Sequence, residues 1–148
     1  MSYKEEIEGR VNLVFALPQV GIREYQLNIS NNTGLADFCW NFGAHGRLFI
    51  EDEDDNSQRG LNNLIKYWRW CDQNPGLGPI ILIHVLGKEN ILNVQNIRFL
   101  GDRMENALSE HQFYYRVVTG FVGNEQHNPN AEWLNELEQI LRGLLPVL

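Results

Sequence analysis

Seven consecutive residues, Ile80-Ile81-Leu82-Ile83-His84-Val85-Leu86, present an apolar side chain to both faces of an extended strand, with His84 the single exception. A strand that is apolar on both sides must be covered on both sides, which is the situation of a central strand in a parallel sheet wrapped by helices. The run is far shorter than the roughly 18 residues of a membrane span. It therefore predicts an α/β fold with a mainly parallel sheet and helices on both faces.

The flanking segments supply those helices. Leu61, Leu64, Ile65, Trp68 and Cys71 fall on one face at helical spacing and predict a helix over Gln58 to Asp72, stopped by Asn74-Pro75-Gly76-Leu77-Gly78-Pro79. Val94, Ile97, Gly101, Met104 and Leu108 predict a second over Asn93 to Glu110, with Gly101 allowing close approach to a sheet. Asn128 as cap, Pro129 at the first helical position and the face Trp133, Leu137, Ile140, Leu141 and Leu144 predict a last helix ended by Pro146. Arg47 to Ile50 and Phe113 to Val122 read as strands. From Arg47 onward the order is strand, helix, strand, helix, strand, helix, which implies parallel pairing through right-handed crossovers.

Upstream, Val11, Leu13, Phe15 and Leu17 alternate with other residues before Pro18-Gln19-Val20-Gly21, so an amino-terminal β-hairpin with a return over Ile22 to Ser30 is expected at an edge of the sheet. Leu35 to Phe42, with Phe38, Trp40 and Phe42, is left unassigned between strand and helical turn. The expected organisation is one α/β domain over 1–148, with hairpin and aromatic connector in 1–46 and the alternating core in 47–148. At 148 residues and 43% apolar composition the chain can bury about two thirds of its unfolded surface, enough for one core.

The formal charge of −7 is concentrated. Of nineteen acids against twelve bases, five form the unbroken run Glu51, Asp52, Glu53, Asp54, Asp55; outside it fourteen acids face twelve bases. No Lys/Arg cluster suits a phosphate-tracking surface, so nucleic acid is not expected as a partner. Met1 to Arg10 is acidic rather than an export signal, and Cys39 and Cys71 make no disulfide framework, so a cytoplasmic protein with no membrane partner is expected.

No complete catalytic signature is present. Asp52, Asp54 and Asn56 occupy positions one, three and five of a hand-type calcium loop, but Ser57 stands where its glycine belongs and Asn63 where its bidentate glutamate belongs. The acid run is thus expected to be a solvated loop that favours the amino terminus of the next helix. A metal-dependent nuclease needs separated carboxylates converging on an ion. Glu24, Asp37 and the acidic loop are the best set for that alternative, with Gln26 where a lysine would help. His84 lies near the carboxyl end of the central strand, where open parallel sheets place ligands, and is the cleft candidate. His45, His111 and His127 have no metal-site spacing. The polar-aromatic stripe Asn63, Tyr67 and Trp70 with neighbouring Arg69, and Phe99 with Arg103 one turn on, are candidate contact surfaces.

From Arg47 to Leu145, about two thirds of the chain, the order of elements resembles the nucleotide-binding domain of STAND NTPases, the signal-transducing P-loop switches of defence and regulatory systems. Thr119-Gly120-Phe121-Val122-Gly123 and Ala131-Glu132-Trp133-Leu134-Asn135-Glu136-Leu137 are similar to that family's rhythm. Laid on the turn after Arg47-Leu48-Phe49-Ile50, the phosphate-binding pattern puts Asp52 and Ser57 at its glycines, Gln58 at its lysine and Arg59 at its Ser/Thr. The strand Tyr114 to Thr119 carries no metal-binding Asp into Gly120-Phe121. The resemblance thus implies an inactivated relative that binds no cofactor and serves as an adaptor or scaffold. The expected partner is a protein, a basic one for Glu51–Asp55, and a second copy or a helical partner for the Asn63/Tyr67/Trp70 face with neighbouring Arg69.

Overall fold

The computed structural model describes residues 3–15, 22–24, 37–42, 45–53, 59–87, 91–122 and 130–144. Its elements are α1 (Tyr3–Val14), β1 (Ile22–Glu24), β2 (Phe38–Asn41), β3 (Arg47–Glu53), α2 (Arg59–Gln73), β4 (Ile80–Gly87), α3 (Ile91–Ala107), β5 (Phe113–Phe121) and α4 (Glu132–Leu144), with a 3₁₀ turn, Ser109–His111, before β5. The strands form one mixed sheet in the order β1-β2-β3-β4-β5. β3, β4 and β5 are mutually parallel, and β1 and β2 add to the β3 edge as an antiparallel pair. The expected α/β class, parallel core and edge hairpin are all present.

Every residue of β4 is buried, as its two-sided apolar sequence requires. Alternation then sorts the side chains of the sheet into two cores. Leu48, Ile50, Ile81, Ile83, Val85 and Val118 face α1 and α4, meeting Ile7, Val11, Trp133 and Leu137. Phe49, Leu82, Leu86, Phe113 and Tyr115 face α2 and α3, meeting Leu64, Tyr67, Trp70 and Met104. The two parallel crossovers step in the same direction, so a right-handed turn at each places α2 and α3 on one face. Between β3 and β5 the strand order never reverses, so this stretch lacks the crevice that a reversal opens in doubly wound sheets.

Gly101 and Gly46 are required by close approach. A Cβ on Gly101 would overlap the Tyr115 ring, so α3 lies against β5 only because this position is bare. Gly46 has φ +106° and faces the Pro79 carbonyl, while the Arg47 N–H donates to that carbonyl at 2.9 Å. The start of β3 is thereby tied to the start of β4.

The amino-terminal reading needs correction. Val11 to Val14 belongs to α1, not to a strand. Ile7, Val11 and Val14 are buried at helical spacing against α4, and the helix is tied to it by the Arg10 guanidinium on Glu138 at 3.1 Å. Alternation over 11–17 would have buried Leu13 with its neighbours, yet Leu13 is 57% exposed. The hairpin is instead β1, within the expected returning strand, paired to β2 in the unassigned aromatic segment, with Glu24 opposite Cys39. Leu17, the remainder of the return over 25–30, Asn128, Pro129 and Pro146 lie outside the described residues.

Candidate functional site

β3 does not stop at Ile50 but continues through Glu51, Asp52 and Glu53. The expectation of a solvated loop is therefore corrected for these three residues: Glu51 is 5% exposed, Glu53 is buried and Asp52 is half-buried. Strand alternation points Glu51 and Glu53 to the same side as Phe49, under α2. Two residues along a strand span about 6.7 Å and four along a helix about 6 Å, so an i, i+2 pair on β3 can face an i, i+4 pair on α2. That match is realised. Tyr67 donates its O–H to Glu51 Oε1 at 3.0 Å, and Asn63 Nδ2 donates to Glu53 Oε1 at 2.8 Å.

Asp37, immediately before β2, is brought beside the same strand end by the antiparallel register that pairs Phe38 with Ile50. The Asp52 N–H donates to Asp37 Oδ2 at 3.0 Å. Burial, followed by the charge of Asp37 and a hydrogen bond to it, pushes the Glu51 carboxyl up to about 10. Burial, then sharing a hydrogen bond with Asp37, pushes Asp52 up to about 7. Asp37 moves the other way: burial opposes its charge, but hydrogen bonds from Asp52 and Glu51 and the positive Lys4 outweigh it and hold it below its ordinary value. At neutral pH Glu51 is thus held protonated beside a charged Asp37, with Asp52 partly ionised.

His84 is the β4 register partner of Glu51 and is fully buried. Its Nδ1 lies 2.7 Å from the Tyr115 hydroxyl, and burial lowers the imidazole to about 4, against the opposing charge of Asp37. It is a neutral core histidine beneath α2 and α3, not a residue lining an open cleft. Its Nε2 has no hydrogen-bond partner among the described residues. No protein-family model matches the chain, and no curated protein or solved structure does either.

Among the described residues no three His, Cys, Asp or Glu side chains are grouped to hold a metal ion, and no helix is long and apolar enough to cross a membrane. A separate pocket of about 250 Å³ lies at the opposite end of β4, lined by Cys71, Asn74, Leu77, Ile80 and His111. Burial raises the Cys71 thiol to about 12, so it is not a reactive thiolate.

The polar-aromatic stripe of α2 is corrected as well. Asn63, Tyr67 and Trp70 are buried, and only Arg69 of that set is exposed. Tyr67 and Trp70 both pack edge-on to Phe49, with ring centroids 5.3 and 5.2 Å away. The polar atoms of Asn63 and Tyr67 donate to the carboxyl groups of Glu53 and Glu51, so these residues belong to the sheet side of the helix. On α3 the exposed aromatic is real: Phe99 is 63% exposed, and the Arg103 guanidinium lies 5.2 Å from its ring centroid. Asp54, Asp55 and the side chain of Glu24 lie outside the described residues. Sequence reasoning misses Lys4, whose charge acts on Asp37 and Asp52 from α1, and Tyr115, which meets His84 from β5; neither carries a local motif.

Proposed function

We propose that this domain is a non-catalytic protein-interaction module, an adaptor or scaffold of the kind implied by its resemblance to inactivated signal-transducing NTPases. The observation that carries this reading is the exposed Phe99–Arg103 pair on α3. An aromatic ring held in place by a guanidinium gives contact area with little side-chain freedom left to lose, and Trp, Tyr and Arg dominate the energetic centres of interfaces. The strand end supports it from the other side. A polyphosphate placed after β3 would meet the charge of Asp37 and the acid run instead of a glycine-rich cradle.

Two measurements test the reading together. A photoreactive phenylalanine analogue at position 99 is expected to cross-link a host protein that the Phe99→Ala variant fails to retain. Calorimetry with ATP or GTP and Mg²⁺ is expected to give no binding; a dissociation constant tighter than about 10 μM, worth roughly −7 kcal/mol, would overturn the non-catalytic reading.

A second reading, a metal-dependent nuclease or other phosphodiesterase, is favoured by one observation. Asp37, Glu51 and Asp52 meet at the carboxyl ends of the strands, and Lys4 is close enough to favour the charged forms of Asp37 and Asp52. Incubation with single- and double-stranded DNA and RNA in Mn²⁺ is expected to leave them intact. Cleavage that disappears in Asp37→Asn would establish this second reading instead.

A further inference from the structure

The outward stripe of α3 carries more than Phe99. Gln95, Phe99, Asp102, Arg103 and Asn106 are all exposed and recur at helical spacing, while Ile97, Gly101 and Met104 are buried on the opposite side. Within this stripe Asp102 and Arg103 are adjacent and of opposite sign. The other acid of the helix is engaged elsewhere: Glu105 is paired with Arg116 of β5 at 3.2 Å. On a chain carrying −7, most faces of two copies repel, whereas this stripe is electrically balanced and holds an exposed aromatic.

We propose that two copies of this chain associate through α3, packed antiparallel about a two-fold axis that sets Arg103 of each copy against Asp102 of the other. This rests on the reading of the α3 face as a contact surface. Antiparallel order follows from the sequence of charges. A two-fold axis between positions 102 and 103 brings unlike charges together twice, whereas parallel packing in register would set Asp102 on Asp102 and Arg103 on Arg103. The same axis places the two Phe99 rings one turn away on either side, each flanked by Asn106 of the other copy. Arg98 lies one turn before Asp102 on its own helix and competes for that carboxylate, which weakens the contact without changing its geometry. One helix pair buries less than the roughly 800 Å² per partner of a stable interface, so the association is weak, with a dissociation constant on the order of 100 μM.

Sedimentation velocity of the purified chain over a concentration series reads this directly. The sedimentation coefficient is expected to rise with concentration, and Phe99→Asp is expected to abolish the rise. Asp102→Arg and Arg103→Asp are each expected to weaken association about tenfold, while the double variant recovers part of it, because the two-fold pair is reversed but no guanidinium at 103 lies over Phe99. A thermal melt checks that each variant is folded, which these exposed positions should leave unchanged. A chain that stays monomeric up to about 1 mM, or a double variant no better than the single ones, would overturn the dimer. If the monomer result is joined by capture of a host protein at position 99, the dimer falls and the interaction module stands. If neither association nor capture is seen, both fall.

Discussion

At pH 8 the Glu51→Gln variant is expected to be more stable than the wild-type chain by a few kcal/mol, and the difference should vanish near pH 4. The ordinary value for this carboxyl is 4.5, and in the folded chain it is raised to about 10 by burial and then by the neighbouring Asp37. The folded state therefore holds a proton that the unfolded state releases. The stability linked to that proton is fully present below the unfolded value and is lost as pH rises from there towards about 10. A glutamine carries no charge to bury, its carbonyl can accept from the Tyr67 hydroxyl, and its amide can donate to Asp37. Urea unfolding of both proteins at several pH values measures the effect. A variant that is less stable at pH 8 would mean that Glu51 is ionised in the folded chain, as a cation at the strand end would require.

Trp70→Ala is expected to cost about 3–5 kcal/mol of folding stability, while Phe99→Ala should stay within about 0.5 kcal/mol. Trp70 is 5% exposed, packs edge-on to Phe49, and has the Arg47 guanidinium 6.0 Å from its ring. Truncation leaves a cavity between α2 and the sheet that neither neighbour can close without moving a strand. Phe99 has solvent on most of its surface and leaves no cavity. Denaturant midpoints of the two variants separate the cases. Equal midpoints would mean that α2 does not pack its tryptophan against β3.

Much of the core was legible because it obeys a single period. The all-apolar strand at Ile80–Leu86 and the three later helices needed only local pattern and became β4, α2, α3 and α4. The errors arose where two periods fit the same residues. Val11, Leu13 and Phe15 alternate, but Ile7, Val11 and Val14 also make a helical face, and packing against α4 decides between them. On α2 the helical spacing assigns the aliphatic Ile65 to the core face and Tyr67 and Trp70 outside it; Ile65 is 56% exposed and the two aromatics are buried. Hydrophobicity ranked these residues wrongly because Tyr67 brings its own partner for a buried carboxyl.

The strand end was less legible still. Burying Glu51 depends on a hydroxyl sixteen residues ahead and on Asp37 fourteen residues behind, neither of which shows in the local run of acids. A usable signal did exist in the pairing of Glu51 and Glu53 with Tyr67 and Asn63, two polar pairs whose spacings match in length.

Because the spatial order of the strands is the order in which they are made, each strand emerging from a ribosome finds its sheet neighbour already synthesised. None of the five described strands has to be inserted between two others, and every step of sheet growth closes a short loop of chain, which keeps the entropy cost of each pairing low. Closure of the other face follows a different schedule. α1 is made before every strand of the sheet, yet Ile7 and Val11 share their core with α4, and Arg10 pairs with Glu138. During synthesis the sheet can grow strand by strand, while α1 waits for α4 before their shared face of the sheet is covered.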